Sequence, residues 1–119
     1  MLDLPMPISV NRLWAGNGQG SLRTTAAYKA WINEAGWALI EQHPGCVHGR
    51  YRLHIEISRT GTKADLGNFE KGVSDLLQAH GVIENDRLAE EIHIAWSDEL
   101  TNQCRVTIFS LPLREQGGG

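Results

Sequence analysis

The chain has 119 residues, 13.2 kDa, a 41% hydrophobic fraction and a formal charge of −3, which predicts one globular domain with an ordinary core. No apolar run approaches the ~20 residues that span a bilayer. Met1 to Val10 lacks the basic-then-apolar order of a secretion signal, and Cys46, Cys104 and the five histidines fit no zinc spacing. The expectation is a cytoplasmic protein with two reduced, half-buried thiols and no membrane partner.

The acid balance argues against a general nucleic-acid coat, but its distribution is uneven. Arg50, Arg52, Arg59, Lys63 and Lys71 outnumber Glu56, Asp65 and Glu70, whereas residues 84–99 carry Glu84, Asp86, Glu90, Glu91, Asp98 and Glu99 against Arg87 alone. That pattern fits a protein that meets DNA at a single metal-loaded site. It equally fits an ordinary acidic domain.

In chain order, Leu2 and Leu4 alternating with Asp3 predict a strand ended by Pro5 and Pro7. Residues 11–21, with Gly16, Gly18 and Gly20, predict a loop; without GKS or GKT they are no phosphate cradle. Thr24 or Thr25 is placed to cap a helix running to about His43, with Tyr28, Trp31, Ile32, Ala35, Ala38 and Leu39 on one face and Pro44-Gly45 as its stop. Tyr51, Leu53, Ile55 and Ile57 alternate with polar residues as a half-buried strand.

A second helix is predicted from Asp65 to Gly81, followed by a turn at Asn85-Asp86. Residues 93–96 and 104–111 read as a hairpin, and residues 115–119 as a frayed tail after a single 1–114 domain. The order β-α-β-α-β-β predicts a mixed α/β (α+β) fold, one mixed sheet layer carrying two helices.

Helical arithmetic puts Leu66, Phe69, Val73, Leu76, Leu77 and His80 on the stripe facing the sheet. Asp65, Asn68, Lys71 and Asp75 fall on its flank, and Glu70, Ser74 and Gln78 on the solvent side. Oxygen donors beside one lysine suit a hard divalent cation next to a phosphodiester. Taken singly, each residue has a plainer role. Asp65 would be a helix cap, Asn68 a first-turn hydrogen-bonder, Lys71 and Asp75 a solvated pair, and Asn85-Asp86 a turn dipeptide.

The segment Asp65-Leu66-Gly67-Asn68, then Lys71, Asp75-Leu76-Leu77, Gly81-Val82-Ile83 and Asn85-Asp86, resembles the RusA family of Holliday junction resolvases. The family pattern is close to D-x-D-N-x-x-K, a helix through D-x-L, and a D-D turn. The opening Leu4-Pro5-Met6-Pro7-Ile8-Ser9-Val10-Asn11-Arg12 is similar to the family's proline-rich turn and S-x-N-R.

The resemblance implies a small homodimeric endonuclease of bacterial or phage origin that nicks four-way DNA junctions with Mg²⁺ or Mn²⁺. It implies Asp65 and Asp86 as metal-binding and catalytic carboxylates and Lys71 as the essential lysine. Asp75 would orient that lysine, and Asn68 and Asn85 would support the site. Lys63, Arg12, Arg23 and Arg59 are the candidates for backbone phosphate contacts. Gly67 stands where the family has a third carboxylate, and Asn85 replaces the first acid of the turn. Three readings follow: a metal-dependent junction nuclease, a junction-binding protein silenced by Gly67, and an interaction domain with no affinity for DNA.

Overall fold

The computed structural model describes residues 1–7, 14–16, 22–24, 26–59 and 66–112, with 14–16 and 22–24 described by their backbone alone. Its elements in order are β1 (Leu2–Pro5), β2 (Trp14–Gly16), β3 (Leu22–Thr24), α1 (Ala26–Glu41), β4 (Tyr51–Ser58), a 3₁₀ turn (Leu66–Phe69), α2 (Glu70–Ala79), a second 3₁₀ turn (Asp86–Leu88), β5 (Ala89–Ser97) and β6 (Gln103–Ser110). Four strands form one mixed sheet in the order β1-β6-β4-β5. The expected mixed α+β class is therefore what the chain adopts. Part of the expected 11–21 loop is strand instead: β2 and β3 pair antiparallel, Ala15 opposite Arg23, and Thr24 ends a strand where a cap was expected.

Alternation in β4 turns Tyr51, Leu53, Ile55 and Ile57 to the core, all fully buried. They meet Val73, Leu76 and Leu77 of α2, Ala35 and Leu39 of α1, and Val106 and Cys104 of β6 in one cluster. At the edge, β1 has one side without a strand partner among the described residues, and Gln42, just past α1, covers it. The Gln42 side-chain amide accepts from the Asp3 N–H at 2.8 Å and donates to the Asp3 carbonyl at 2.7 Å. The helices approach closely where Gly36 lies, since a Cβ there would sit 3.0 Å from His80 Nε2. His80 is accordingly exposed against α1 and not part of the buried stripe.

The expected hairpin between the last two strands does not form. β5 pairs parallel with β4, Tyr51 opposite Ala89 and Ile57 opposite Trp96, while β6 pairs antiparallel with the other side of β4. Residues 98–102 instead cross the end of β4. Leu100 is buried there, Asn102 takes a left-handed φ of 53°, and the Asn102 N–H donates to Ser58 Oγ at 3.0 Å. Of the apolar residues on these two strands, Val106 is core, and Ile94, Trp96 and Ile108 pack partly buried against it. Both cysteines are free, but neither is half-buried: Cys46 is exposed and Cys104 buried. Among the described residues no helix is long and apolar enough to cross a membrane.

Candidate active site

The parallel β4-α2-β5 crossover positions Asn68, Lys71, Asp75, Asn85 and Asp86. Its helix begins as the 3₁₀ turn Leu66–Phe69, continues as Glu70–Ala79, and stops at Gly81, whose φ of 71° a side chain would disfavour. The chain then returns through Val82 and Ile83, both buried, into the Asp86 turn.

Lys71 is exposed and its ammonium lies 3.5 Å from Asp75, one turn along the helix. Asp75 also faces Tyr28 of α1, whose hydroxyl pKa is raised by burial and then by that carboxylate. Asn68 is half-buried in the 3₁₀ turn. Gly67 is exposed, and a Cβ built on it would meet no atom within 4 Å among the described residues. Asp65, Lys63 and Arg12 lie outside the described residues, and Arg23 is described only as backbone in β3. Arg59 is bonded to Asp98 at 3.1 Å and stacked 5.8 Å over the Trp96 ring. It sits at the C-terminal end of β4.

Asn85 caps the second 3₁₀ turn, its Oδ1 accepting from the Arg87 N–H at 2.9 Å. That bond holds Asp86 in place while leaving its side chain outside. The Asp86 N–H donates to Gln78 Oε1 at 2.9 Å, which ties the turn to the last part of α2. No hydrogen bond or ion pair among the described residues engages the Asp86 carboxylate, and it is exposed.

Two inward groups were not anticipated. Ser74, expected on the solvent side, is buried and donates its hydroxyl to Glu70. The Glu70–Ser74 face therefore looks toward the sheet. Tyr51 is fully buried, and its hydroxyl has no hydrogen-bond partner among the described residues. Its pKa is pushed up to about 12, by burial first and then by the carboxylates of Asp86 and Glu70. The signal for Tyr51 was present in sequence, because an inward strand position held by tyrosine carries a polar tip into the core. Nothing in the pattern pointed to Gln78 as the anchor of the turn.

The structure separates what the sequence pattern grouped. Phe69, at the end of the first 3₁₀ turn, has its ring centroid 6.0 Å from that of Trp96, whereas Asp86 leads into Ala89 at the other end of β5. From Ala89 to Trp96 the strand rises about 23 Å. Measured along the helix, the Gly67–Asn68 end and the Gln78-bound turn are on the order of 15 Å apart. Two ligands of one Mg²⁺ are separated by about 4 Å at most. The opening of α2 and the Asp86 turn thus lie at the two ends of the helix, and the expected meeting of Asp65 with Asp86 across one cation involves a residue outside the described ones. Among the described residues no three His, Cys, Asp or Glu side chains gather to hold a metal.

A family model described as Endodeoxyribonuclease RusA matches residues 5–109 of the chain. A search of curated proteins finds no match.

Proposed function

Because the chain belongs to the RusA endodeoxyribonuclease family, whose activity is Holliday junction resolution, we propose that it is a Mg²⁺-dependent (or Mn²⁺-dependent) homodimeric nuclease that nicks four-way DNA junctions. The observation that carries this reading is Asp86. Its carboxylate is exposed and unengaged among the described residues, held on a turn clamped by Asn85 and Gln78. Such a group is fixed in place yet free to take a ligand.

The donor chemistry fits the cation. Asp86 and Asp65 supply carboxylate oxygens, Asn68 an amide oxygen, and a hard ion that retains several waters needs no more than one or two carboxylates. When bound, the cation would acidify a water and polarise a phosphoryl oxygen. Lys71, a compact exposed charge steadied by Asp75, would offset the negative charge that builds on phosphorus. Lys63, Arg12, Arg23 and Arg59 would contact backbone phosphates. Arg59 must first exchange Asp98 for DNA, an exposed pair that costs little to break. A cytoplasmic location in a bacterium or phage-infected cell accords with this activity.

The dimer is part of this proposal, motivated by the length of α2 between its opening and the Asp86 turn. One protomer carries a helix opening at one end and Asp86 at the other, so a two-fold axis that sets each turn against the partner's helix opening completes two equal sites. Two such sites also match the symmetry of a junction cut on opposing strands.

The test is subunit mixing on a synthetic four-way junction with Mg²⁺ or Mn²⁺. Asp65→Asn and Asp86→Asn are each expected to be inactive alone, and to regain roughly a quarter of the parent's nicking once their subunits exchange at equal amounts, since about half of the dimers are then mixed and each has one intact site. Two inactive variants that stay inactive after exchange would refute the shared site. An unmixed Asp86→Asn protein that still nicks would refute the role of Asp86.

Gly67 favours a second reading, a protein that binds junctions without cutting. Under that reading the parent retards branched DNA in a gel, with a steep salt dependence, and leaves it intact in both metals.

A further inference from the structure

The two edges of the four-stranded sheet are finished differently. At β1 the Gln42 side chain occupies the Asp3 N–H and carbonyl, which closes that edge to another strand. At the other edge, β5 has no second strand beside it among the described residues. Its sequence holds neither the proline nor the lysine that commonly blunts an edge, and its bulge falls at Glu90, ahead of the regular stretch from Glu91 to Ser97. Ile92 stands in register with the fully buried Leu53, on the helix-bearing face, yet is 43% exposed. The apolar face of the sheet therefore runs out to this edge and ends there uncovered.

The edge is complementary to itself. Glu91 and His93 flank Ile92 and lie on the opposite face, in register with Arg52 and His54. Two antiparallel copies of β5 related by a two-fold axis at Ile92 set that residue against its own counterpart and each Glu91 against the partner's His93. An axis at His93 would instead oppose the two imidazoles and leave Glu91 facing Ala95. Resting on the homodimer proposed above, we infer that the β5 edge is the dimer interface, where two copies join their sheets antiparallel across an axis at Ile92. Both helical layers then lie on one face of the joined sheet. The Ala89 end of one β5, into which the Asp86 turn leads, comes beside the Trp96 end of the other. The Trp96 ring is 6.0 Å from that of Phe69, at the opening of α2. Each Asp86 turn thus arrives at the partner's helix opening, as a site shared between subunits requires.

The test is disulfide trapping together with sedimentation. A Cys46→Ser background removes the exposed thiol and keeps the buried Cys104. Directly opposed residues of an antiparallel pair have Cα atoms about 4.5–5.5 Å apart, within disulfide reach. Mild oxidation is expected to link Ile92→Cys into a covalent dimer and to leave His93→Cys largely unlinked. Ile92→Lys is expected to keep the parent's circular dichroism and to raise the dimer dissociation constant about 10- to 100-fold, because two ammonium groups meet where two isoleucines did. If that variant fails to fold, the cross-link decides. A dimeric parent whose Ile92→Cys variant does not cross-link overturns this inference and leaves the nuclease reading standing. So does an Ile92→Lys protein that dimerises as tightly as the parent, or a cross-link that forms through His93→Cys instead. A parent that sediments as a monomer removes the proposed homodimer and this interface together.

Discussion

Replacing Gly67 by aspartate restores the carboxylate that the family pattern places there, and the structure sets what this should do. A Cβ at Gly67 meets nothing within 4 Å among the described residues and its backbone is outside the left-handed region, so these residues add no strain. Loss of glycine's freedom in the unfolded chain contributes about 0.4–1 kcal/mol. An acid at the positive start of the helix contributes about 0.3–1 kcal/mol, offset by a few tenths from nearby Asp65. Gly67→Asp should therefore raise Tm by a few degrees, about 2–5 °C for a domain of this size.

The effect on the metal is larger. A carboxylate 4 Å from a divalent ion in a solvent-like dielectric gains about 2 kcal/mol, roughly thirtyfold in affinity. Mn²⁺ titration should show that gain, and junction nicking should rise or appear at micromolar Mn²⁺. A folded, dimeric Gly67→Asp protein with unchanged Mn²⁺ affinity would refute the placement of the cation at the opening of α2.

Lys71→Ala should cost no more than about 0.5 kcal/mol of stability, since its pair with Asp75 is exposed, yet lower nicking about 10²- to 10³-fold with junction binding kept. Equal losses of binding and nicking would make it a phosphate contact only. Ser58→Ala should cost about 1–3 kcal/mol in urea unfolding, because the Asn102 N–H loses its acceptor where the chain crosses β4. No change would show that this bond does not anchor the crossing. The Tyr51 phenol is raised from 10.0 to about 12, so the native state keeps its proton longer than the unfolded one. Its contribution is present in full below pH 10 and is lost as pH climbs to about 12, a fall of roughly 2.7 kcal/mol. Cys104, raised from 9.0 to about 12 chiefly by burial, adds a loss that begins earlier. Alkaline unfolding of Tyr51→Phe should lack the phenol's share, and coincident curves for variant and parent would refute it.

Local chemistry was legible where period and punctuation agree. The alternation of Tyr51 to Ile57, the helical stripe of Val73, Leu76 and Leu77, and the glycine stop at Gly81 all stand as read. The motif residues Lys71 and Asp86 were legible as a pattern because spacing within one segment survives folding. The hairpin reading failed because adjacency in sequence does not decide which strands pair. Pairing here was set by the crossover helix, which lays β5 parallel to β4, and by Leu100 and Ser58, which carry the chain past β4.

The linear chain alone determined the class of fold and its main helices and strands, since these follow from periods of two and 3.6, while the short β2 and β3 strands escaped it. Only the tertiary structure decided where those elements go. A parallel crossover must send its helix back along the sheet, so residues at the two ends of α2 end up remote from each other in one protomer.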